Sequence, residues 1–204
     1  MQTLSKERGV RLVELARSAI ATGLGIPDVE EPRPDPERDG WLLEPAATFV
    51  TLHRNGELHG CIGSIEPRRR LFDDVRQNAS SAAFIDPRAT RLDAGDLDEL
   101  EIEVSLLGPL ERITFTSEED ALTQLRPGVD GVVFEAVGRR ATYLPTVWNS
   151  LPDRRDFLCS LKMKAGLPPS YWSPEVSLYR YALQKWSDED LDRPRRRAAA
   201  SPWS

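Results

Sequence analysis

The chain has 204 residues, which is enough to bury a substantial core in one main domain. Its 33 acidic and 27 basic side chains leave a net charge of -6, a balance that does not favour nucleic acid as a partner. No stretch approaches the roughly 20 apolar residues that span a bilayer, and the first residues lack a signal-peptide pattern. We therefore expect a cytoplasmic protein with no membrane association, in which Cys61 and Cys159 are free thiols.

The first predicted elements are a helix, a loop and a hairpin. Residues 5–22 place apolar side chains at intervals of three and four, which predicts an amphipathic helix. The proline-rich, charged residues 27–40 predict a long surface loop. Two β-rich runs follow, at residues 46–54 and 57–65, and Asn55-Gly56 between them favours a two-residue type I′ turn.

A two-residue turn also predicts the register of this hairpin. Leu52 then lies opposite His59, and Val50 lies opposite Cys61. His59 and Cys61 would share one face of the sheet, because residues two apart on a strand point the same way. A slip of one residue would move Cys61 to the other face.

The remaining elements alternate between helices and strands. We predict a helix over residues 71–84 that ends near Pro87, a half-buried strand around residues 100–106 and a short helix from Ser117 to Leu125. A second hairpin should turn near residues 138–139, a helix should end at Gly166, and one final strand should precede a disordered tail over residues 186–204. This order predicts an α+β fold with a largely antiparallel sheet.

The segment "LHGCIGS" contains the strongest candidate for chemistry. A thiolate is a nucleophile when a base or a positive charge helps it to ionise, and His59 is the base nearest to Cys61 in the sequence. Gly60 and Gly63 would let a ligand carboxylate or phosphate approach the backbone. The alternative is a packed, inert cysteine whose neighbouring glycines admit close contact with another element.

Other candidates have a structural alternative as well. Glu101 and Glu103 share a strand face, either as paired carboxylates or as an ordinary solvated face. Asp86 and Arg88 flank a proline at a helix exit, where they either shape a pocket or form a surface ion pair. Trp148 either walls a ligand pocket or belongs to the core. Two cysteines and two histidines are too few for a structural zinc site or an iron-sulfur cluster, so we expect neither a metal nor a cofactor.

Several segments, in this order along the chain, resemble the AMMECR domain family, known in prokaryotes as AmmeMemoRadiSam system protein A. They are "ATFVTLHRNGELHGCIGSIEP", "DDVRQNASSAAFIDPR", "LDELEIEVSLLGPLERI", "GVDGVVFE", "ATYLPTVW" and "FLCSLKMKAGLPPSYW". The resemblance covers residues 5–185 and implies a single AMMECR domain, with two unequal lobes around an antiparallel, barrel-like sheet flanked by helices. The family's leucine-arginine-glycine-cysteine-isoleucine-glycine hallmark falls on residues 58–63, with His59 in place of arginine.

The resemblance also implies partners, since the family is associated with Memo-like proteins and radical SAM enzymes. One hypothesis is a cysteine-dependent component of such a system, with Cys61 as nucleophile or radical relay and His59 as its base. Its substrate-binding residues would be Gly60, Gly63, Asp86, Arg88, Glu103 and Trp148. The other hypothesis is a non-catalytic adaptor or ligand-binding subunit that presents a groove to partner proteins.

Overall fold

The computed structural model describes residues 4–29 and 32–191, which form two compact units. The larger unit contains the described residues 4–107 and 184–191, and the smaller unit contains residues 108–183. Part of the predicted tail is structured, because a strand spans Leu183–Ser187 and a 3-10 turn follows at Asp188–Asp190. Residues 192–204 of that tail lie outside the described residues.

The larger unit combines two helices with a four-stranded sheet and a two-stranded ribbon. The helices are α1 (Lys6–Gly23) and α2 (Leu71–Phe84), and the strands are β1 (Pro45–Ala46), β2 (Thr48–Arg54), β3 (Glu57–Gly63), β4 (Arg69–Arg70), β5 (Leu100–Leu107) and β10 (Leu183–Ser187). The sheet has the order β10-β5-β2-β3, and the ribbon pairs β1 with β4. Among the described residues of the 27–40 segment there is no helix or strand before a 3-10 turn at Gly40–Leu42.

The core of the larger unit lies between the helices and one face of this sheet. Ser5 caps α1 by accepting a hydrogen bond from the Arg8 amide, and the apolar stripe predicted for this helix is buried. The strands contribute alternate residues to the same core, namely Val50, Leu52, Ile102 and Val104. Burying a side chain of this size stabilises the fold by about 2 kcal/mol, so the alternating pattern determines which face of each strand meets the helices.

The β2–β3 hairpin has the predicted turn but a different register. Asn55 and Gly56 both have positive φ, at 52° and 80°, as a type I′ turn requires. Leu52 pairs with Gly60 and His53 pairs with Leu58, so β3 contains one extra residue in a β-bulge. Cys61 therefore pairs with Thr51. The predicted pairing of Val50 with Cys61 is wrong, because the bulge shifts every later pair by one residue.

The smaller unit has its own four-stranded sheet and its own core. Its elements are β6 (Glu111–Ile113), α3 (Glu118–Gln124), β7 (Gly131–Ala136), β8 (Arg139–Tyr143), α4 (Arg154–Lys164) and β9 (Ser177–Tyr181), with a 3-10 turn at Pro145–Asn149. The sheet order is β6-β9-β7-β8. The second hairpin turns at Val137-Gly138, one residue earlier than predicted, where both residues have positive φ.

The predicted final strand is in fact two strands that belong to different sheets. β9 pairs with β6 and β7, whereas β10 pairs with β5. The break falls at Ala182, whose carbonyl accepts a hydrogen bond from the Gly108 amide. The sequence pattern does not mark this break, because neither segment alternates strictly between buried and exposed residues.

The fold is α+β with antiparallel sheets, as predicted. Where the resemblance implies one barrel-like sheet, the structure has one four-stranded sheet in each unit. Within residues 4–29 and 32–191, none of the helices is long and apolar enough to cross a membrane.

Candidate functional site

Cys61 lies on β3, the edge strand of the larger unit's sheet, and its side chain is partly exposed. Its neighbour across the strand pair is Thr51, whose Oγ1 donates a hydrogen bond to the Cys61 Sγ over 3.3 Å. Thr51 also pairs with Glu103 on β5. The side chains of these paired residues lie on the sheet face opposite to Val50 and Leu52, because alternate residues of a strand point to opposite faces.

This face also carries His53 and Glu101, which are paired with each other across β2 and β5. We call it the polar face and define it by Thr51, His53, Cys61, Glu101 and Glu103. A thiol, an imidazole, a hydroxyl and two carboxylates are thus brought together on three neighbouring strands. These are the groups that nucleophilic and acid-base chemistry uses.

Asp86 and Arg88 hold the backbone of Cys61 at the sheet edge. The Cys61 amide donates to Asp86 Oδ2 over 2.8 Å, and Arg88 Nη2 donates to the Cys61 carbonyl over 3.4 Å. Arg88 also donates a hydrogen bond to each oxygen of Asp86, from Nε to Oδ1 over 2.9 Å and from Nη2 to Oδ2 over 2.7 Å. Both backbone polar groups of Cys61 are therefore occupied, which fixes this peptide and closes the strand edge at that residue.

The Asp86 carboxylate is ionised in this arrangement. Its side chain is 1% exposed, while that of Arg88 is 53% exposed. The hydrogen bonds from Arg88 hold the pKa of the Asp86 carboxyl well below its usual range, against the opposing effect of burial, and the Cys61 amide adds to them. The pKa of Arg88 is raised, mainly by its hydrogen bonds to Asp86 and in smaller part by attraction to the Cys61 thiolate.

His59 does not share a face with Cys61. Its ring is buried at 5% exposure, and its Nε2 lies 3.4 Å from the carbonyl oxygen of Ala83 in α2. α2 packs on the apolar face of the sheet, so the ring points away from the sulfur. His59, the predicted base of Cys61, is therefore a packing residue. It is the extra residue of the β3 bulge, and its ring points towards α2.

The two glycines beside Cys61 are required for close packing. A Cβ on Gly60 would lie 2.1 Å from the backbone oxygen of Ala82, and one on Gly63 would lie 2.3 Å from the ring of Phe49. Protein atoms fill the space that we predicted for a ligand. The close approach of α2 and of a cross-strand ring explains both glycines.

Glu103 is the other predicted site residue on the polar face. Lys185 Nζ donates to its Oε1 over 2.9 Å, and the Ser105 hydroxyl donates to the same oxygen over 3.3 Å. Glu101 is more exposed and lies two residues away on the same face. Glu101 and Glu103 therefore lie near each other on a partly solvated strand face. The two interpretations of this pair describe the same surface.

Trp148 lies in the core of the smaller unit. Its ring stacks on Phe157 with the centroids 3.7 Å apart, and its Nε1 donates to the Asp130 carbonyl over 2.8 Å. The ring is 3% exposed and its only polar group is satisfied. These contacts explain Trp148 as a core residue, which was the structural alternative.

A buried polar cluster centred on Asp74 was not predicted. One carboxylate oxygen, Oδ2, accepts from the Thr48 amide, the Thr48 hydroxyl and Asn78 Nδ2, at 2.8, 2.7 and 2.9 Å. Arg69 and Ser64 donate to the other oxygen, Oδ1, at 2.8 and 2.9 Å. Asp74 and Asn78 are four apart beside the apolar stripe of α2, and that spacing is the signal that sequence analysis could have used.

His53 is a further member of the polar face. The predicted register would put it on the face opposite to Cys61. Only the bulge in β3 brings His53 and Cys61 to one face. Within the described residues, three or more histidine, cysteine or carboxylate side chains never gather as a metal site would require.

Known proteins resemble this chain in sequence and in fold. The sequence model of the AMMECR1 family matches residues 13–186, which is most of the chain. The chain belongs to the AMMECR1 family. Its architecture has a solved counterpart, an uncharacterized protein of Pyrococcus horikoshii, with a TM-score of 0.78 and 32% identity over 91% of this chain and 94% of that one.

Two archaeal relatives extend this finding. A protein of Methanothermobacter thermautotrophicus is 37% identical over 91% of this chain and 97% of its own length. A protein of Methanopyrus kandleri is 33% identical over 95% of this chain and 94% of its own. Both alignments cover nearly the full length of these relatives, whose names describe no activity.

Proposed function

We propose that this AMMECR1-family protein is a component of an AmmeMemoRadiSam system and that it contributes a thiol site centred on Cys61. The observation that carries the proposal is the way Cys61 is held. Cys61 is partly exposed on the polar face, while Asp86 and Arg88 bind its backbone N–H and carbonyl.

The surroundings of the sulfur support nucleophilic chemistry. The Thr51 hydroxyl donates to the sulfur, and the Arg88 guanidinium attracts its thiolate form. A hydroxyl donor and a nearby guanidinium are neighbours of the kind that surround reactive cysteines in proteins. A rigid peptide adds to this, because a nucleophile whose backbone is fixed loses little entropy when it meets its target.

The thiol site is tested by labelling the folded protein. We expect iodoacetamide to alkylate Cys61 without denaturant, which peptide mass spectrometry would show, and we expect Cys61→Ser to fold normally. Labelling of Cys61 only after unfolding would contradict the thiol site.

The system assignment needs a separate test. Co-expression with a Memo-like protein and a radical SAM enzyme from the same genome should give a complex that co-purifies with this chain, and product formation should depend on Cys61. If the assembly forms and its product is unchanged with Cys61→Ser, the cysteine has no chemical role.

A non-catalytic adaptor is the second candidate. Three large apolar side chains of the larger unit are exposed, at Leu58, Phe84 and Ile85, and Ile85 is 73% exposed. Phe84 and Ile85 are adjacent in the chain, and exposed apolar side chains that form a contiguous patch mark protein interaction surfaces. Replacing Ile85 with Ser should abolish co-purification with the partners if the adaptor role is correct, and should leave Cys61 alkylation unchanged.

A further inference from the structure

We infer that His53, and not His59, is the proton acceptor for the Cys61 thiol. The inference deepens the proposed thiol site and rests on it. It assigns a role to a histidine that the predicted hairpin register would put on the face opposite to Cys61.

The strand pairing supplies the first argument. Cys61 lies opposite Thr51, and His53 lies two residues further along β2 on the same face. His53 and Cys61 are thus neighbours on the diagonal of an antiparallel pair, where Cα atoms are about 7–8 Å apart and long or aromatic side chains still meet. An imidazole is long enough to reach the sulfur by rotation about its side-chain bonds.

The ring of His53 is available for this rotation. It is half-buried, and none of the side chains in the described part of the chain forms a hydrogen bond with it. His59 differs in both respects, because its ring is buried and its Nε2 lies against the Ala83 carbonyl. Of the two histidines in the sequence, only His53 shares a face with the sulfur.

Acidic side chains lie next to His53 on the polar face. Glu101 lies directly opposite on β5, and Glu103 lies on the diagonal beyond Thr51. The ammonium of Lys185 is engaged by Glu103, which limits its repulsion of the imidazolium. At the cysteine end of the proposed His53–Cys61 pair, the Arg88 guanidinium attracts the thiolate form of Cys61. Transfer of the thiol proton from Sγ to a ring nitrogen therefore gives an imidazolium beside carboxylates and a thiolate beside a guanidinium.

The test is the pH profile of Cys61 alkylation in a Cys159→Ser background. Rates with iodoacetamide are measured by mass spectrometry from about pH 6 to about pH 9.5, the range in which free thiols ionise. With His53→Gln we expect the rate near neutral pH to fall about tenfold and to converge with the parent rate above pH ~9, where thiols ionise unaided. Added imidazole should restore part of the rate in His53→Ala, which a purely structural role would not allow.

His59→Gln is the matched control, since it removes the other imidazole of the hairpin. Its profile should follow that of the parent, with folding checked by circular dichroism. If the His53→Gln profile coincides with the parent profile, or if His59→Gln lowers the rate equally while remaining folded, the assignment of His53 is overturned and the thiol site stands. If Cys61 of the folded parent is not alkylated at any pH, the thiol site itself fails, and His53 has no role as its base.

Discussion

The two faces of the larger unit's sheet use the same strands for different purposes. On the apolar face, Val50 and Leu52 are fully buried against the helices, and even the polar residues there are enclosed. On the polar face, Thr51 and His53 come from the same strand and remain partly exposed. The difference arises from strand alternation, which separates adjacent residues by the full thickness of the sheet.

The hallmark segment spans both faces, and this explains its composition. Gly60 is required by the apolar side, where α2 approaches closely, and Cys61 belongs to the polar side. A motif that reads as one unit in the sequence thus has a packing half and a chemical half. Four substitutions on the two faces test this difference, with decreasing effects on stability.

The largest effect is expected on the apolar side, at Asp74. Its side chain is 1% exposed and accepts hydrogen bonds from two strands, a loop and its own helix. Asp74→Ala would leave these donors buried without an acceptor, and we expect the free energy of unfolding to fall by about 3–5 kcal/mol. Urea denaturation followed by circular dichroism measures this loss.

Asp73 offers a matched control in the same helical turn, because its side chain is exposed. Asp73→Ala should lower the free energy of unfolding by less than about 1 kcal/mol. Equal losses for the two variants would show that the buried cluster does not support the apolar face.

Gly60→Ala should have the second largest effect. The added Cβ would meet the Ala82 carbonyl, a backbone atom that moves only if α2 moves with it. We expect thermal and urea unfolding to report a loss of about 2–3 kcal/mol. Gly40→Ala is the control, since nothing lies within 4 Å of a Cβ there, and its effect should be within about 0.5 kcal/mol.

Asp86 holds the edge of β3 through the Cys61 amide, so Asp86→Asn should have an intermediate effect of about 1–3 kcal/mol. The pKa of Asp86 is lower in the folded than in the unfolded protein. Its stabilising contribution is therefore complete above about pH 5 and is lost as the pH falls below the unfolded pKa of about 3.9 towards the folded one. The free energy of unfolding of Asp86→Asn should depend less on pH below about pH 5 than that of the parent; identical slopes would contradict this role.

The smallest effect on stability should come from the polar face, at Thr51. Thr51→Val removes the hydrogen bond to the sulfur and should change the free energy of unfolding by less than about 1 kcal/mol. It should nevertheless slow Cys61 alkylation several-fold, because the thiolate loses a donor. Thr51→Ser keeps the hydroxyl and should alkylate at nearly the parent rate, so a slow Ser variant would argue against the hydrogen bond as the cause.

Local chemistry in the sequence was sufficient for much of the fold. The bounds of α2 were predicted correctly, as were the positive-φ turn at Asn55-Gly56 and the half-buried strand that carries Glu101 and Glu103. These features depend on residues that are near one another in the chain, such as a periodic stripe or a turn pair. The contact between Asp86 and Arg88 belongs to the same class, because the two residues are only two apart.

The sequence by itself determined which residue types the site contains, namely a cysteine between glycines, two histidines and a pair of carboxylates on one strand. Only the tertiary structure decided which histidine accompanies the cysteine. One extra residue in β3 turns His59 towards α2 and places Cys61 on the face of His53. The physical reason is that a bulge forms where α2 and the neighbouring strand constrain the hairpin together, and a pattern of period two read along one strand contains no information about those partners.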